Sequence, residues 1–158
     1  MSRAYIGLGA NLGDPRRQIL DAIDGLAACG RLLACSSLYR TAPLGEPGQP
    51  DYCNAACLLD TALSAEALMD RLLELERAAG RVRDGRRWGA RRLDLDLLHV
   101  EGVTLETPKL RLPHPEIARR NFVLVPLAEI APELLIPGVG RIAAAAAAIG
   151  RAGLDPWS

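Results

Sequence analysis

This 158-residue chain has no net charge: 19 Lys and Arg are matched by 19 Asp and Glu. A chain without excess charge of either sign is not a bulk binder of polyanions. Aromatic residues are scarce, at 4%, with one Phe, two Trp and three Tyr. That is a poor supply for the stacking surfaces of RNA-recognition domains. No apolar run approaches the roughly 18–20 residues of a membrane span. Met1-Ser2-Arg3-Ala4-Tyr5 passes directly into a strand pattern and lacks the order of a signal peptide, so a cytoplasmic protein is expected. The four cysteines, Cys29, Cys35, Cys53 and Cys57, form no C-x-x-C pair, and no histidine lies at zinc-finger spacing. They read as small buried hydrophobes in a reducing compartment. The remaining 49% hydrophobic and 24% charged residues are ordinary for a globular protein. The length fits one domain over 1–158, able to bury roughly two-thirds of its unfolded surface.

The most informative segment is Arg87-Trp88-Gly89-Ala90-Arg91-Arg92-Leu93-Asp94-Leu95-Asp96-Leu97-Leu98. Apolar and acidic residues alternate from Leu93 to Leu97, the period of a strand. Leu93, Leu95 and Leu97 then face a core, while Asp94 and Asp96 share the other face, roughly 6–7 Å apart. Asp is disfavoured in strands, so two on one face need a reason. Mg²⁺ takes oxygen ligands and often uses only one or two carboxylates, with substrate phosphates completing its shell. The alternative is a half-exposed strand whose carboxylates meet arginines on its neighbours.

Residues 3–9 read as a first strand. Asp14 and Pro15 start a helix as N-cap and first helical residue, Ile19, Leu20, Ile23 and Leu26 mark its apolar stripe, and Gly30 is its stop. A second strand is expected over 32–39 and a proline- and glycine-rich loop over 40–51. Tyr52 to Leu59 reads as a third strand. Ser64 opens a helix with the stripe Leu68, Leu72, Leu73 and Leu75, which ends at Gly80. A loop covers 81–91, and a fourth strand begins at Leu93 and passes His99. The order βαββαβ predicts an α+β, ferredoxin-like sandwich: a mostly antiparallel sheet, both long helices on one face, and the other face free for a ligand. A C-terminal extension follows residue 108, with an apolar stretch from Phe122 to Leu127 and an alanine-rich helix over Arg141 to Ile149. Gly7-Leu8-Gly9-Ala10-Asn11-Leu12-Gly13 misses the dinucleotide fingerprint by one position and reads as a tight strand-to-helix turn.

Three further groups carry chemistry. Arg81, Arg83, Arg86, Arg87, Arg91 and Arg92 crowd one loop, and the planar guanidinium fork suits phosphate oxygens. Glycines at 80, 85 and 89 permit that loop to close on a substrate, and Trp88 suits a flat ring. The same run also fits a solvated basic loop or an RNA-backbone contact. Tyr52 and Asn54 share strand parity, and the Asn amide offers donors and an acceptor to a heterocycle edge. Pro113-His114-Pro115 with Arg119-Arg120-Asn121-Phe122 adds a histidine that suits a phosphate or is only a loop residue, and a phenylalanine that by itself reads as core.

Taken together, the Tyr5–Asn11 opening, Ser37-Leu38-Tyr39-Arg40-Thr41, Pro50-Asp51-Tyr52-Cys53-Asn54-Ala55-Ala56, Gly80-Arg81-Val82-Arg83, Arg87-Trp88-Gly89-Ala90-Arg91, Leu93-Asp94-Leu95-Asp96 and Pro113-His114 with Arg120 and Phe122 resemble the 6-hydroxymethyl-7,8-dihydropterin pyrophosphokinase family of folate biosynthesis. The resemblance spans nearly the whole chain. It implies transfer of pyrophosphate from ATP to the hydroxymethyl group of the reduced pterin, with release of AMP. It implies that Asp94 and Asp96 hold two Mg²⁺ ions and that Arg83 and Arg91 steady the triphosphate. Thr41, Pro43, Leu44, Tyr52, Asn54 and Phe122 would form the pterin site. Glu76, Arg83, Trp88, Arg91, Leu97, Lys109, His114 and Arg120 would contact ATP. The expected partners are these two small molecules, without nucleic acid or membrane, and the expected state is a monomer. Leu73, Lys109, Arg111, Pro115 and Asn121 depart from the family pattern and leave individual nucleotide contacts open. Two other readings stand beside it: an RNA-binding module with the same element order, and an inert, ligand-sensing relative.

Overall fold

The computed structural model describes residues 1–42, 50–80 and 93–157. Strand β1 (Ser2–Ala10) lies between β4 (Tyr52–Thr61) and β5 (Asp94–Val100), antiparallel to both. Strands β2 (Arg31–Cys35) and β3 (Tyr39–Thr41) both pair with β4, and β10 (Leu154–Pro156) adds to β3. The sheet is antiparallel throughout these pairs, and its order is that of the ferredoxin-like arrangement.

The two long helices cover one face. Helix α1 (Pro15–Leu26) begins where the sequence places it: the Asp14 side chain accepts a hydrogen bond from the Arg17 N–H at 3.2 Å, and Pro15 takes the first helical position. Helix α2 (Ala65–Gly80) is preceded by Ser64, whose hydroxyl oxygen accepts from the Ala67 N–H at 3.1 Å. Ile19, Ala22 and Leu26 of α1 and Leu68 and Leu72 of α2 pack on Ile6 and Leu8 of β1, Cys57 and Leu59 of β4, and Leu95 and Leu97 of β5. Leu59 is fully enclosed there, so truncating it to alanine would cost about 2–5 kcal/mol. Gly30 is not the helix stop; α1 ends four residues earlier. A β-carbon at Gly30 would lie 2.4 Å from the Asp60 carbonyl oxygen, so close passage of the chain over β4 is what requires glycine.

Two expectations are corrected on the opposite face. The segment expected as one strand over 32–39 is broken at Ser36–Leu38 into β2 and β3. Ser36 donates its N–H to the Ala56 carbonyl at 2.8 Å, and its hydroxyl accepts from the Ala56 N–H at 2.9 Å. A side chain thus replaces one rung of the ladder and turns the strand. This face is also not wholly free. Helices α3 (Asn121–Ile130) and α4 (Ile142–Ile149) cover one end of it, where Val123, Leu124, Leu127 and Ile142 pack on Tyr5, Ala56, Leu58 and Leu98. The connections hold two small hairpins, β6 (Leu105–Glu106) with β7 (Arg111–Leu112) and β8 (Leu135–Ile136) with β9 (Gly140–Arg141). A clamp fixes α3 to the strand break: Glu129 accepts hydrogen bonds from the Ser37 N–H and hydroxyl, the latter at 2.8 Å, and from the Tyr39 hydroxyl at 2.6 Å. No helix of the described residues is long and apolar enough to cross a membrane.

Candidate active site

The end of this second face that α3 and α4 leave uncovered is a pocket of about 640 Å³. Its floor is the sheet itself. Asp94 and Asp96 project into it from β5, Gly7 and Gly9 come from β1, and Tyr52 and Asn54 come from β4. Alternation explains the set. Leu95 and Leu97 point to the helices, so their neighbours 94 and 96 point away. Register then places Asp94 opposite Gly9 and Asp96 opposite Gly7. Gly7 and Gly9 therefore lie within the first strand, as expected over 3–9, and the turn into α1 follows them; of the opening glycines only Gly13 has a positive φ, +67°. Their missing side chains leave room beside the carboxylates.

The far side of the pocket belongs to β3 and α3. Thr41 is paired with Tyr52, and its hydroxyl donates to the Asn54 side-chain carbonyl at 3.3 Å. Asn54 is buried, so its amide is held in place for a ligand edge. Phe122, at the start of α3, presents its ring with the Arg120 guanidinium 5.7 Å from its centre. Glu116, Arg119, Asn121, Ala152 and Gly153 complete this wall. Asn121 donates its side-chain N–H to the Ala152 carbonyl at 2.9 Å, which ties the loop before β10 to the helix.

Four other expected residues do not line the pocket. Glu76 on α2 accepts from the Leu95 backbone N–H at 2.7 Å, capping the strand edge that β1 does not pair. Leu97 is buried against the helices. Lys109 pairs with Asp70 at 3.2 Å on the exposed surface. His114 donates its backbone N–H to the Leu98 carbonyl at 2.8 Å. Its Nδ1 accepts from the Glu116 N–H at 3.1 Å, which places the neutral ring's proton on Nε2. Arg83, Trp88, Arg91, Pro43 and Leu44 lie outside the described residues. Sequence reasoning missed Gly7, Gly9, Glu116 and the 152–153 wall. Only the two glycines left a signal, two small residues at strand spacing in an otherwise apolar run.

Among the described residues no three His, Cys, Asp or Glu side chains gather as a metal cluster. The two carboxylates nonetheless fit Mg²⁺, which accepts few protein oxygens and completes its shell with substrate oxygens and water. They would not make a site for a metal that needs a full protein cage.

Fold and pocket offer a site for small molecules on a ferredoxin-like sheet, and the comparisons give the class of enzyme. The chain is 47% identical over 140 residues to a 2-amino-4-hydroxy-6-hydroxymethyldihydropteridine pyrophosphokinase of Methylorubrum extorquens, covering 87% of this chain and 88% of that one. It is 45% identical over 139 residues to the protein of the same name from Pseudomonas aeruginosa, covering 87% and 85%. Such pyrophosphokinases are ATP-dependent transferases. The model of the 7,8-dihydro-6-hydroxymethylpterin-pyrophosphokinase family matches residues 5–132, and this chain belongs to that family. Among solved structures, a triple mutant of the HPPK-DHPS protein of Plasmodium falciparum shares the fold, with a TM-score of 0.73 at 13% identity over 93% of this chain. This chain spans 43% of the length of that protein.

Proposed function

We propose that this chain transfers pyrophosphate from ATP to the hydroxymethyl group of 6-hydroxymethyl-7,8-dihydropterin in folate biosynthesis, giving AMP and the pterin diphosphate. The observation that carries the reading is the position of β5. Asp94 and Asp96 line the same pocket as Thr41, Tyr52, Asn54 and Phe122. A pterin held by Thr41, Tyr52, Asn54 and Phe122 would lie beside the two carboxylates, where the phosphates of ATP would meet it.

In the reaction the pterin hydroxyl oxygen forms a bond to the β-phosphorus of ATP. The bond from that phosphorus to the α,β-bridging oxygen breaks, AMP leaves, and the hydroxyl proton passes to water or to a metal ligand. Asn54 and Thr41 orient the heterocycle edge, and Phe122 and Tyr52 hold its faces. Arg120, with Arg83 and Arg91 as the resemblance assigns them, binds phosphate oxygens. Trp88 is assigned to ATP, and Pro43 and Leu44 to the pterin side. Asp94 and Asp96 would hold two Mg²⁺ ions, which when bound neutralise phosphate charge and acidify the attacking hydroxyl. Phosphoryl-type transfer needs little more than positioning and charge neutralisation; the pocket would supply the first, and the metal ions with the arginines the second. The same reading has the chain acting as a monomer in the cytoplasm, on small molecules only.

The test is AMP formation from ATP, with and without the pterin, in Mg²⁺ or in EDTA. AMP that requires pterin and metal together is the expected result. A folded sample that makes no AMP under any of these conditions would overturn the assignment.

A further inference from the structure

Cys35 and Cys57 face each other directly in the β2–β4 register, and their sulfurs are 3.0 Å apart. Opposed residues of antiparallel strands have Cα atoms roughly 4.5–5.5 Å apart, inside the range of about 4.4–6.8 Å that a disulfide spans. Both side chains point to the helix face, away from the pocket. Their surroundings differ. Cys57 is fully enclosed. Cys35 is partly exposed, on a strand that pairs with β4 alone. We propose that Cys35 and Cys57 are an oxidation site, at which hydrogen peroxide converts the two thiols into an intramolecular disulfide.

The asymmetry sets the order of steps. Cys35 is the sulfur a peroxide can reach. Its thiolate attacks the peroxide oxygen, the S–O bond forms, and the O–O bond breaks with release of water. Cys35 is thereby oxidised to a sulfenic acid and the peroxide is reduced. The Cys57 sulfur, already in contact, then attacks the Cys35 sulfur; the S–S bond forms, the S–O bond breaks, and a second water leaves with the thiol proton. Two thiols and one peroxide give one disulfide and two waters. The thiol chemistry agrees with this order. The hydrogen bond from Cys57 lowers the Cys35 thiol below its ordinary value against the effect of burial. Burial raises both Cys29 and Cys53. The proposal stands whatever reaction the pocket performs.

The test treats the full chain with hydrogen peroxide, alkylates the remaining thiols and maps the peptides by mass spectrometry. The expected product has lost two hydrogens, keeps two alkylated cysteines, joins Cys35 to Cys57 and reverts with dithiothreitol. In Cys57→Ser, checked for native circular dichroism, no cross-link forms and Cys35 is trapped as sulfenic acid by a cyclic 1,3-diketone. Four alkylated cysteines after peroxide would overturn the proposal. So would a cross-link through Cys29, Cys53 or a second copy, or added oxygen on Cys35 without a cross-link in the unaltered chain.

Discussion

Gly7 stands directly across the β1–β5 ladder from Asp96, so the carboxylate has a neighbour with no side chain. Gly9 bears the same relation to Asp94, and a β-carbon added there would meet the Asn54 side-chain nitrogen at an ordinary 3.6 Å. The sheet therefore accommodates a small residue at 9, and only the pocket is lost to a larger one. Gly9→Val is expected to fold while its two methyls fill the floor between Asp94 and Asn54. A misfit of a methylene or two is worth roughly 10- to 200-fold in kcat/KM. An unchanged kcat/KM for the pterin would remove the floor from the substrate site.

Asp96→Ala should remove nearly all turnover, a loss of roughly 10³ or more, because it deletes half of the oxygen ligands proposed for metal. Steady-state AMP release across a Mg²⁺ titration checks it. A near-normal rate in saturating Mg²⁺ would end the two-metal reading.

Arg83→Ala should lower kcat by roughly 10²–10³, the scale of losing one preorganised donor to a transition state. A change of less than a few-fold takes Arg83 out of the reaction.

The Glu129 clamp makes a prediction in pH. Burial raises the Glu129 carboxyl, but the hydrogen bonds from Tyr39 and Ser37 outweigh it and leave the group below its ordinary value. A depressed carboxyl contributes stability that is present above its unfolded value and lost as pH falls through the folded one. Tyr39 moves the other way: burial and then the bond to Glu129 push it up to about 12. Its contribution is complete below the unfolded value and lost as pH rises through about 12. Between those limits Glu129→Gln should cost about 1 kcal/mol, since the carboxylate is partly in water, or roughly 2–4 °C in Tm. The difference from the parent chain should shrink in acid. A difference that stays constant with pH would mean that charge plays no part in the clamp.

Asn121→Gly releases the Ala152 carbonyl and with it the loop that walls the pocket beside Phe122. KM for the pterin should rise a few-fold with KM for ATP unchanged. Equal changes in both would place Asn121 in general stability.

Much of this arrangement was legible in local chemistry. Asp14 with Pro15 announced α1, and the alternation around Asp94 and Asp96 fixed which side of β5 faces the pocket. What escaped depends on contacts between distant parts of the chain. The break at Ser36 is made by the Ala56 backbone, which no local pattern around Ser36 reveals. Gly7 and Gly9 fell within the expected first strand, but their place opposite Asp96 and Asp94 comes from pairing with a distant strand. Phe122 to Leu127 showed its apolar character but not its helix, because Pro126 lies inside α3 and the stretch is apolar on nearly every side. Leu154 to Pro156 had no strand signature; pairing with β3 alone makes it one.

The central place of β1 bears on how the protein comes into being. Ser2 pairs with Thr61 and Gly9 with Asp94, so neither ladder of the first strand can close over a short stretch of chain. Each waits on a long loop whose entropic cost rises with the logarithm of its length, and such non-local pairing slows folding relative to a helical bundle. The two carboxylates acquire their glycine neighbours only when the last of these closures is made. A nascent or half-folded chain presents no ordered pair of acids over an open floor, and the capacity to gather phosphate arrives with the finished sheet.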